Sequence, residues 1–105
     1  MKPDKVLSLL GIAAKAGSVA SGEFSAEKAV KEGRAYLVIV ASDASDNTKK
    51  KFNDMCAYHQ CRYFEYSDKE SLGHCIGKEF RASLAVKNEG LAKALMKHLD
   101  TITTE

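Results

Sequence analysis

Apolar side chains in the first part of the chain recur with the period of an α-helix. Val6, Leu10, Ala13 and Ala14 fall on one face, and they predict a helix over residues 3–16. Two lysines, an apolar run and an Ala-Lys-Ala sequence also give this segment the outline of a signal peptide. The run is short, however, and an aspartate interrupts the basic region. We therefore predict a structural helix in a cytoplasmic protein.

Four short segments predict β-strands between further helices. The strands are predicted over residues 18–20, 36–41, 62–66 and 82–86. The second segment is apolar and largely β-branched, which is typical of a strand buried on both faces. Capping residues and glycines predict the helices over residues 22–33, from 46 to about 59, from 69 to 77, and from 89 to a polar tail at 101–105.

Strands and helices that alternate with short loops indicate an α/β domain with helices on both faces of its sheet. We predict one domain over residues 1–105, a three-layer α-β-α sandwich around a small four-stranded mixed sheet. In the third helix, Phe52, Met55, Cys56 and His59 follow at helical spacing and predict a stripe that faces the core.

The three cysteines are an odd number without a Cys-x-x-Cys pair, which predicts free and mostly buried thiols. Cys56, His59 and Cys61 also invite an interpretation as metal ligands, but their spacing matches no common zinc pattern. We predict that they are packing residues and that the protein binds no metal.

The composition is that of an ordinary globular domain, with 105 residues, 45% apolar and 29% charged. The net charge of +2 is small, and its excess lies in residues 1–34, which have six basic and four acidic side chains. No segment has the length of a transmembrane helix. We find neither a paired nucleophile and base nor a phosphate-binding glycine loop, so we predict a protein that is not an enzyme and uses no cofactor.

The segment from residue 17 to 33 puts a helix start beside a tight turn. Gly22 lets the backbone turn without a Cβ penalty and lets another molecule approach closely. Either Ser21 or Gly22 caps the helix, whose first amides form an anion site. Lys28 and Lys31 follow on the same helix, within reach of a ligand at its start. Such a helix start, taken alone, is more often a connector than a site.

Two basic segments lie outside that helix. Phe80 stands among cations in the turn before the last strand, where it either plugs the edge of the sheet or exposes a stacking surface for an RNA base. Three lysines at 49–51 open the third helix, where they either contact phosphates or form a solvated face. We favour the solvated face.

Four motifs stand in a fixed order that spans nearly the whole chain. They are Gly17-x-Val19-x-x-Gly22, Lys28-Ala29-Val30-x-x-Gly33, Ser42-Asp43-Ala44-Ser45 and Leu72-Gly73-x-x-x-Gly77. Together they resemble the L7Ae family of ribosomal proteins, and within it the small bacterial YlxQ-type branch. The resemblance implies the same three-layer sandwich.

The resemblance also implies a non-catalytic protein that binds kink-turn RNA, a sharply bent helix with tandem G·A pairs and a bulge, in ribosomal RNA or an mRNA leader. In the family, the start of the second helix enters the groove and the loop before the last strand packs on flipped-out nucleotides. The implied RNA-binding residues are Lys15, Ser21, Gly22, Glu23, Phe24, Ser25, Lys28, Lys31, Lys78, Glu79, Phe80 and Arg81.

The chain departs from the family pattern at the start of the second helix. Phe24 and Ser25 stand where the family has Asn and Glu, whose side chains read base edges. Shape readout and phosphate contacts do not need these two residues. We keep RNA binding as the leading hypothesis. The absence of Asn and Glu and the small net charge support an alternative, a protein-interaction module that docks on the ribosome or on transcription and translation factors. In either case we expect a cytoplasmic monomer with no membrane partner.

Overall fold

The computed structural model describes residues 4–103. Helices and strands alternate along this part of the chain. The helices are α1 (Lys5–Lys15), α2 (Glu23–Lys31), α3 (Asp46–Tyr58), α4 (Lys69–Cys75) and α5 (Glu89–Thr103). The strands are β1 (Val19–Ser21), β2 (Leu37–Val40), β3 (Arg62–Glu65) and β4 (Ser83–Val86). Most predicted boundaries agree with these to within two residues.

The four strands form one mixed sheet in the order β1-β4-β2-β3. Strand β4 runs antiparallel to both of its neighbours, whereas β2 and β3 are parallel. Ser21 pairs with Leu84, and Val40 pairs with Ser83, so the end of β1 and the end of β2 flank the start of β4. The sheet therefore brings the β1–α2 turn beside the segment that enters β4.

Helices cover both faces of the sheet. Helix α1 contacts α4 and α5, while α2 contacts α3 and the strands. The central strands β2 and β4 are buried along their whole length, which fits the unbroken apolar run of β2 and the apolar residues that follow Ser83 in β4. The predicted three-layer α-β-α sandwich with a mixed sheet is confirmed.

Side-chain caps fix the starts of four helices. Asp4 accepts a hydrogen bond from the Leu7 amide at 3.0 Å and begins α1. Ser45, Asp68 and Asn88 do the same for α3, α4 and α5. Each such cap contributes about 1 kcal/mol. Helix α2 differs, because its N-cap is Gly22, which has no side chain.

Asp4 also ties α1 to the end of β3. The Tyr66 hydroxyl donates a hydrogen bond to Asp4 Oδ2 at 2.7 Å. Burial, together with this bond, raises the pKa of Tyr66 to about 12. The predicted first helix is thus part of the packed core, to which Val6 and Leu10 belong.

Two predictions about helix ends are wrong. His59 was expected on the core-facing stripe of α3, but the helix ends at Tyr58 and His59 is its exposed C-cap. The polar tail was expected from residue 101, but α5 continues to Thr103. Thr101 is exposed and its hydroxyl donates to the Lys97 carbonyl at 3.0 Å, so a polar side chain on the solvent side does not end the helix. Pro3, expected in the first turn of α1, and residues 104–105 lie outside the described part.

The prediction of free, mostly buried thiols is correct for the free state of the cysteines and only partly correct for their burial. All three are free, but Cys56 is buried while Cys61 and Cys75 are half-buried. Within residues 4–103, every helix is too short or too polar to cross a lipid bilayer.

Candidate nucleic-acid interface

The turn between β1 and α2 exposes bare backbone. Gly22 has φ 91° and ψ 161°, a conformation that side-chain-bearing residues rarely adopt. Its amide donates a hydrogen bond to the Ser83 carbonyl at 2.9 Å, which fixes the turn to the start of β4. The position that a Cβ would take is open space. Another molecule can therefore approach this backbone closely.

The α4–β4 loop, residues 76–82, lies directly on the backbone of α4. The Lys78 amide donates to the Gly73 carbonyl at 2.9 Å, and the Arg81 amide donates to the Lys69 carbonyl at 3.0 Å. A Cβ at Gly73 would lie 1.4 Å from the Glu79 carbonyl oxygen. The close contact between loop and helix therefore depends on glycine at position 73.

Arg81 joins this loop to the β1–α2 turn. Its Nη1 donates to the Phe80 carbonyl at 2.8 Å, and its Nε makes a long hydrogen bond of 3.4 Å to Ser21 Oγ. Lys15, Ser21 and Lys78 also line one cleft of about 340 Å³ between α1, β1 and the loop. The structure thus brings together four residues that the sequence analysis assigned to one site.

Two phenylalanines project from this region into solvent. Phe24, in the first turn of α2, is 80% exposed, and Phe80, in the α4–β4 loop, is 66% exposed. Because its ring is mostly exposed, Phe80 does not plug the edge of the sheet. Of the two interpretations of Phe80, the exposed ring is the one that the structure supports.

Helix α2 has three distinct sides. Ala26, Ala29 and Val30 are buried against the sheet. Phe24 and Lys28, four residues apart, form a stripe on the outward side. Lys28 is exposed and has no ion pair with any residue of the described part. The ammonium of Lys28 is therefore available to a ligand.

The third side of α2 faces α3 and is acidic, but its carboxylates are paired. Lys51 of α3 contacts Glu23 at 3.0 Å and also contacts Glu27, and Lys31 contacts Glu27 at 2.7 Å. Hydrogen bonds from Lys31 and Lys51 lower the pKa of Glu27, and those to Glu27 and Glu23 raise the pKa of Lys51. Glu23 and Lys31, which the sequence assigned to the site, are thus engaged within the protein.

The remaining two assigned residues are exposed. Ser25 lies in the first turn of α2, and its hydroxyl makes no hydrogen bond within residues 4–103. The Glu79 side chain is exposed, although its backbone packs on α4.

The lysine run at the start of α3 is paired. Lys49 lies 3.7 Å from a Glu65 carboxylate oxygen, and Lys50 lies 2.8 Å from Asp54. Lys51 contacts Glu23 and Glu27 of α2, so each lysine of the run has a carboxylate partner within the protein. The structure therefore supports the solvated face rather than a phosphate-binding cluster.

Two residues that shape the site were not assigned to it from the sequence. Lys51 neutralises the acidic side of α2, but its partner Glu23 is 28 positions away, which no local pattern reveals. Gly73 seats the α4–β4 loop, and its signal was present, because a glycine inside a predicted helix often marks close packing.

A groove larger than the cleft between α1, β1 and the loop lies beside the same region. It occupies about 780 Å³ between α1 and α4, and Lys15 borders both this groove and the smaller cleft. Ile12 on its rim is 56% exposed.

Comparison with known proteins assigns the chain to a family, in agreement with its three-layer fold. A profile of the "Ribosomal protein L7Ae/L30e/S12e/Gadd45 family" matches residues 4–96. The chain belongs to this family. It is 42% identical over 92 residues to the RNA-binding protein YlxQ of Bacillus subtilis, covering 88% of this chain and 92% of that protein. A protein of the same name from Enterococcus faecium is 35% identical over 89 residues, which cover 85% of each chain.

Solved structures resemble the chain over nearly its full length. A protein of unknown function from Bacillus halodurans superposes with a TM-score of 0.90 at 40% identity, covering 93% of this chain and 99% of that one. The 15.5kD RNA binding protein of Giardia lamblia superposes with a TM-score of 0.78, covering 99% and 92%. Its identity is 20%, so this second likeness concerns the fold alone.

Proposed function

We propose that this protein binds a kink-turn or similarly bent structured RNA, in ribosomal RNA or an mRNA leader, and catalyses no reaction. The RNA contacts the start of α2 and the α4–β4 loop. The observation that best supports this proposal is the 2.9 Å hydrogen bond from the Gly22 amide to the Ser83 carbonyl, because it fixes the start of α2 beside the end of the α4–β4 loop.

A bent RNA presents two features close together, a phosphate backbone and nucleotides that have left the stack. Lys15, Lys28 and Lys78 are exposed cations that suit the phosphates. The open backbone at Gly22 permits close approach, and the exposed Phe80 ring offers a stacking face. A straight duplex offers phosphates but no unstacked base.

The relatives support RNA as the class of ligand, since two proteins named for RNA binding align over at least 85% of this chain. We further propose that the protein acts as a cytoplasmic monomer near the ribosome. The family membership and the free thiols fit that location.

The test is a fluorescence titration of a labelled kink-turn RNA and of a straight duplex of equal length, each at two salt concentrations. We expect the kinked RNA to bind at least about tenfold more tightly, a difference of about 1.4 kcal/mol. Equal and steeply salt-dependent binding to both would contradict recognition of the bend. Binding to neither would support the protein-interaction alternative.

A pair of arginine variants localises the interaction. Arg81→Ala removes the link to Ser21 and a cation of the proposed surface, so we expect the preference for the kinked RNA to fall. Arg34→Ala is the matched control, because Arg34 follows the far end of α2 and pairs with Glu32 at 3.2 Å. It should leave the preference unchanged.

A further inference from the structure

Phe24 is an exposed ring without an internal role. It lies in the first turn of α2, on the side opposite to the buried Ala26. Within residues 4–103 it has neither an aromatic partner nor a cation over its face. Packing within the protein therefore does not account for a phenylalanine that is 80% exposed.

Lys28 stands one turn further along the same stripe. Side chains at i and i+4 have their Cβ atoms about 5–6 Å apart, so Phe24 and Lys28 are neighbours on the surface of the helix. A nucleotide has an apolar face on its base and a negative charge on its phosphate, joined by one ribose. The stripe presents the complementary pair, an apolar face and a cation, one helical turn apart.

The adjacent carboxylates do not oppose this charge. Glu23 and Glu27 lie on the side of α2 that faces α3, where Lys51 contacts both. Lys31 adds a second cation to Glu27 at 2.7 Å. The outward stripe therefore stays positive although the helix contains two acidic residues.

We propose that Phe24 and Lys28 together bind one unpaired nucleotide of the RNA, and this inference rests on the function proposed above. The base stacks on the Phe24 ring, and its phosphate lies against the Lys28 ammonium. A phenylalanine has no hydrogen-bonding group with which to read base-pair edges in a groove, whereas its face stacks on any exposed base. The RNA therefore presents an unstacked nucleotide to α2, besides any that contacts Phe80.

The test uses a kink-turn RNA and a series in which each unpaired nucleotide in turn is replaced by an abasic residue. For the wild-type protein, we expect one abasic RNA of the series to bind about 5- to 150-fold more weakly because of Phe24. Phe24→Ala should weaken binding of the intact RNA by a similar factor. The Phe24→Ala protein should then bind that abasic RNA as tightly as it binds the intact RNA.

Tyr58→Ala is the matched control for removing an exposed ring. Tyr58 is 83% exposed at the end of α3, which lies toward the opposite end of the sheet from the β1–α2 turn. The affinities of the Tyr58→Ala protein for every RNA of the series should equal those of the wild type. Because Phe24 is exposed too, all of these variants should keep the wild-type melting temperature.

The Lys28 half of the proposal is tested by salt dependence. Lys28→Ala should reduce the slope of log K against log salt by about 0.7–0.9, the loss of one phosphate contact. Lys50→Ala is its control, since Lys50 pairs with Asp54 on α3 at 2.8 Å. Phe24→Ala should leave the slope unchanged, because the ring has no charge.

Failure of the inference differs from failure of the proposed function. If Phe24→Ala binds the kinked RNA as tightly as the wild type, or responds to every abasic substitution as the wild type does, the inference is wrong and bend recognition stands. If the wild type binds kinked and straight RNA alike, no unpaired nucleotide contributes and both proposals are wrong. An unchanged salt slope for Lys28→Ala removes Lys28 from the pair.

Discussion

The Glu79 carbonyl oxygen occupies the space in which a side chain at Gly73 would begin, 1.4 Å from the ideal Cβ position. Both partners in this contact are backbone, so neither can rotate away. The contact seats the α4–β4 loop on α4, and the same loop contains Phe80 and Arg81. A glycine in the interior of a helix thus sets the position of the proposed RNA surface.

Gly73→Ala should displace the loop. An added methyl group cannot fit without backbone movement, so we expect a loss of about 1–3 kcal/mol in the free energy of unfolding. RNA affinity should fall further than the unfolded fraction explains. Urea unfolding and RNA titration measure the two effects separately.

Gly90→Ala is the control for that substitution. Gly90 is exposed in the first turn of α5, where a Cβ would lie 3.4 Å from the Asn88 side chain. We expect a change in stability within about 1 kcal/mol and unchanged RNA binding. A Gly73→Ala protein that unfolds and binds RNA like the wild type would show that the loop does not depend on this glycine.

Phe80→Ala tests the second exposed ring. If Phe80 stacks on a nucleotide, its removal should cost about 1–3 kcal/mol of RNA binding free energy and almost no folding stability. Tyr36→Ala is a suitable comparison, because Tyr36 is a partly exposed ring at the start of β2, away from the proposed surface. Equal affinities for wild type and Phe80→Ala would exclude the loop ring from the interface.

Lys51→Met should make stability less sensitive to acid. The pKa of Glu27 is lowered below its ordinary value of 4.5 by Lys31 and Lys51, so the paired carboxylate stabilises the folded state at neutral pH. That contribution is lost as the pH falls through the folded-state pKa. We expect Lys51→Met to lose less than about 1 kcal/mol at neutral pH, and the difference from wild type to vanish in acid.

The difference in stability between wild type and Lys51→Met is followed by measuring both melting temperatures from neutral pH down to below pH 4.5. Lys50→Met is the control, because Lys50 pairs with Asp54 within α3, whereas the ion pairs between α3 and α2 in the described residues belong to Lys51. A difference between wild type and Lys51→Met that persists in acid would mean that Lys51 stabilises the protein by packing rather than by charge.

Tyr66→Phe should destabilise the fold without affecting RNA binding. The variant loses a 2.7 Å hydrogen bond to Asp4, so we expect a cost of about 1–2 kcal/mol. Because the pKa of Tyr66 is raised from 10.0 to about 12, its contribution is present below pH 10.0 and is lost as the pH rises through 12.

Urea midpoints measured across this alkaline range should therefore fall less steeply for Tyr66→Phe than for wild type. Tyr58→Phe serves as the reference, since Tyr58 is exposed and its hydroxyl makes no hydrogen bond in the described residues. Identical midpoints for Tyr66→Phe and wild type would show that the tie between α1 and β3 adds no stability.

Much of the fold was predictable because its signals are local. The unbroken apolar run predicted β2, and Gly33, with φ 72°, ends α2 as predicted. The wrong helix ends arise because apolar periodicity does not show where the backbone leaves the helical conformation. His59 continues the spacing of the α3 stripe, but Gln60 already has φ 58°, so the chain has left the helix.

The candidate site was predictable in part for the same reason. Gly22 and the exposed Lys28 follow from the sequence of one turn and one helix. The contact of Arg81 with Ser21 spans 60 positions, and its geometry depends on the whole sheet. Only the tertiary structure reveals such a contact.

The proposed RNA surface is tested most directly by mapping amide chemical shifts of the isotope-labelled protein as kink-turn RNA is added. We expect the largest changes in residues 21–28 and 78–81. Small changes are expected at Tyr58 and along the α1–α4 groove near Ile12. Changes concentrated in that groove, with residues 21–28 unaffected, would contradict the proposed RNA surface.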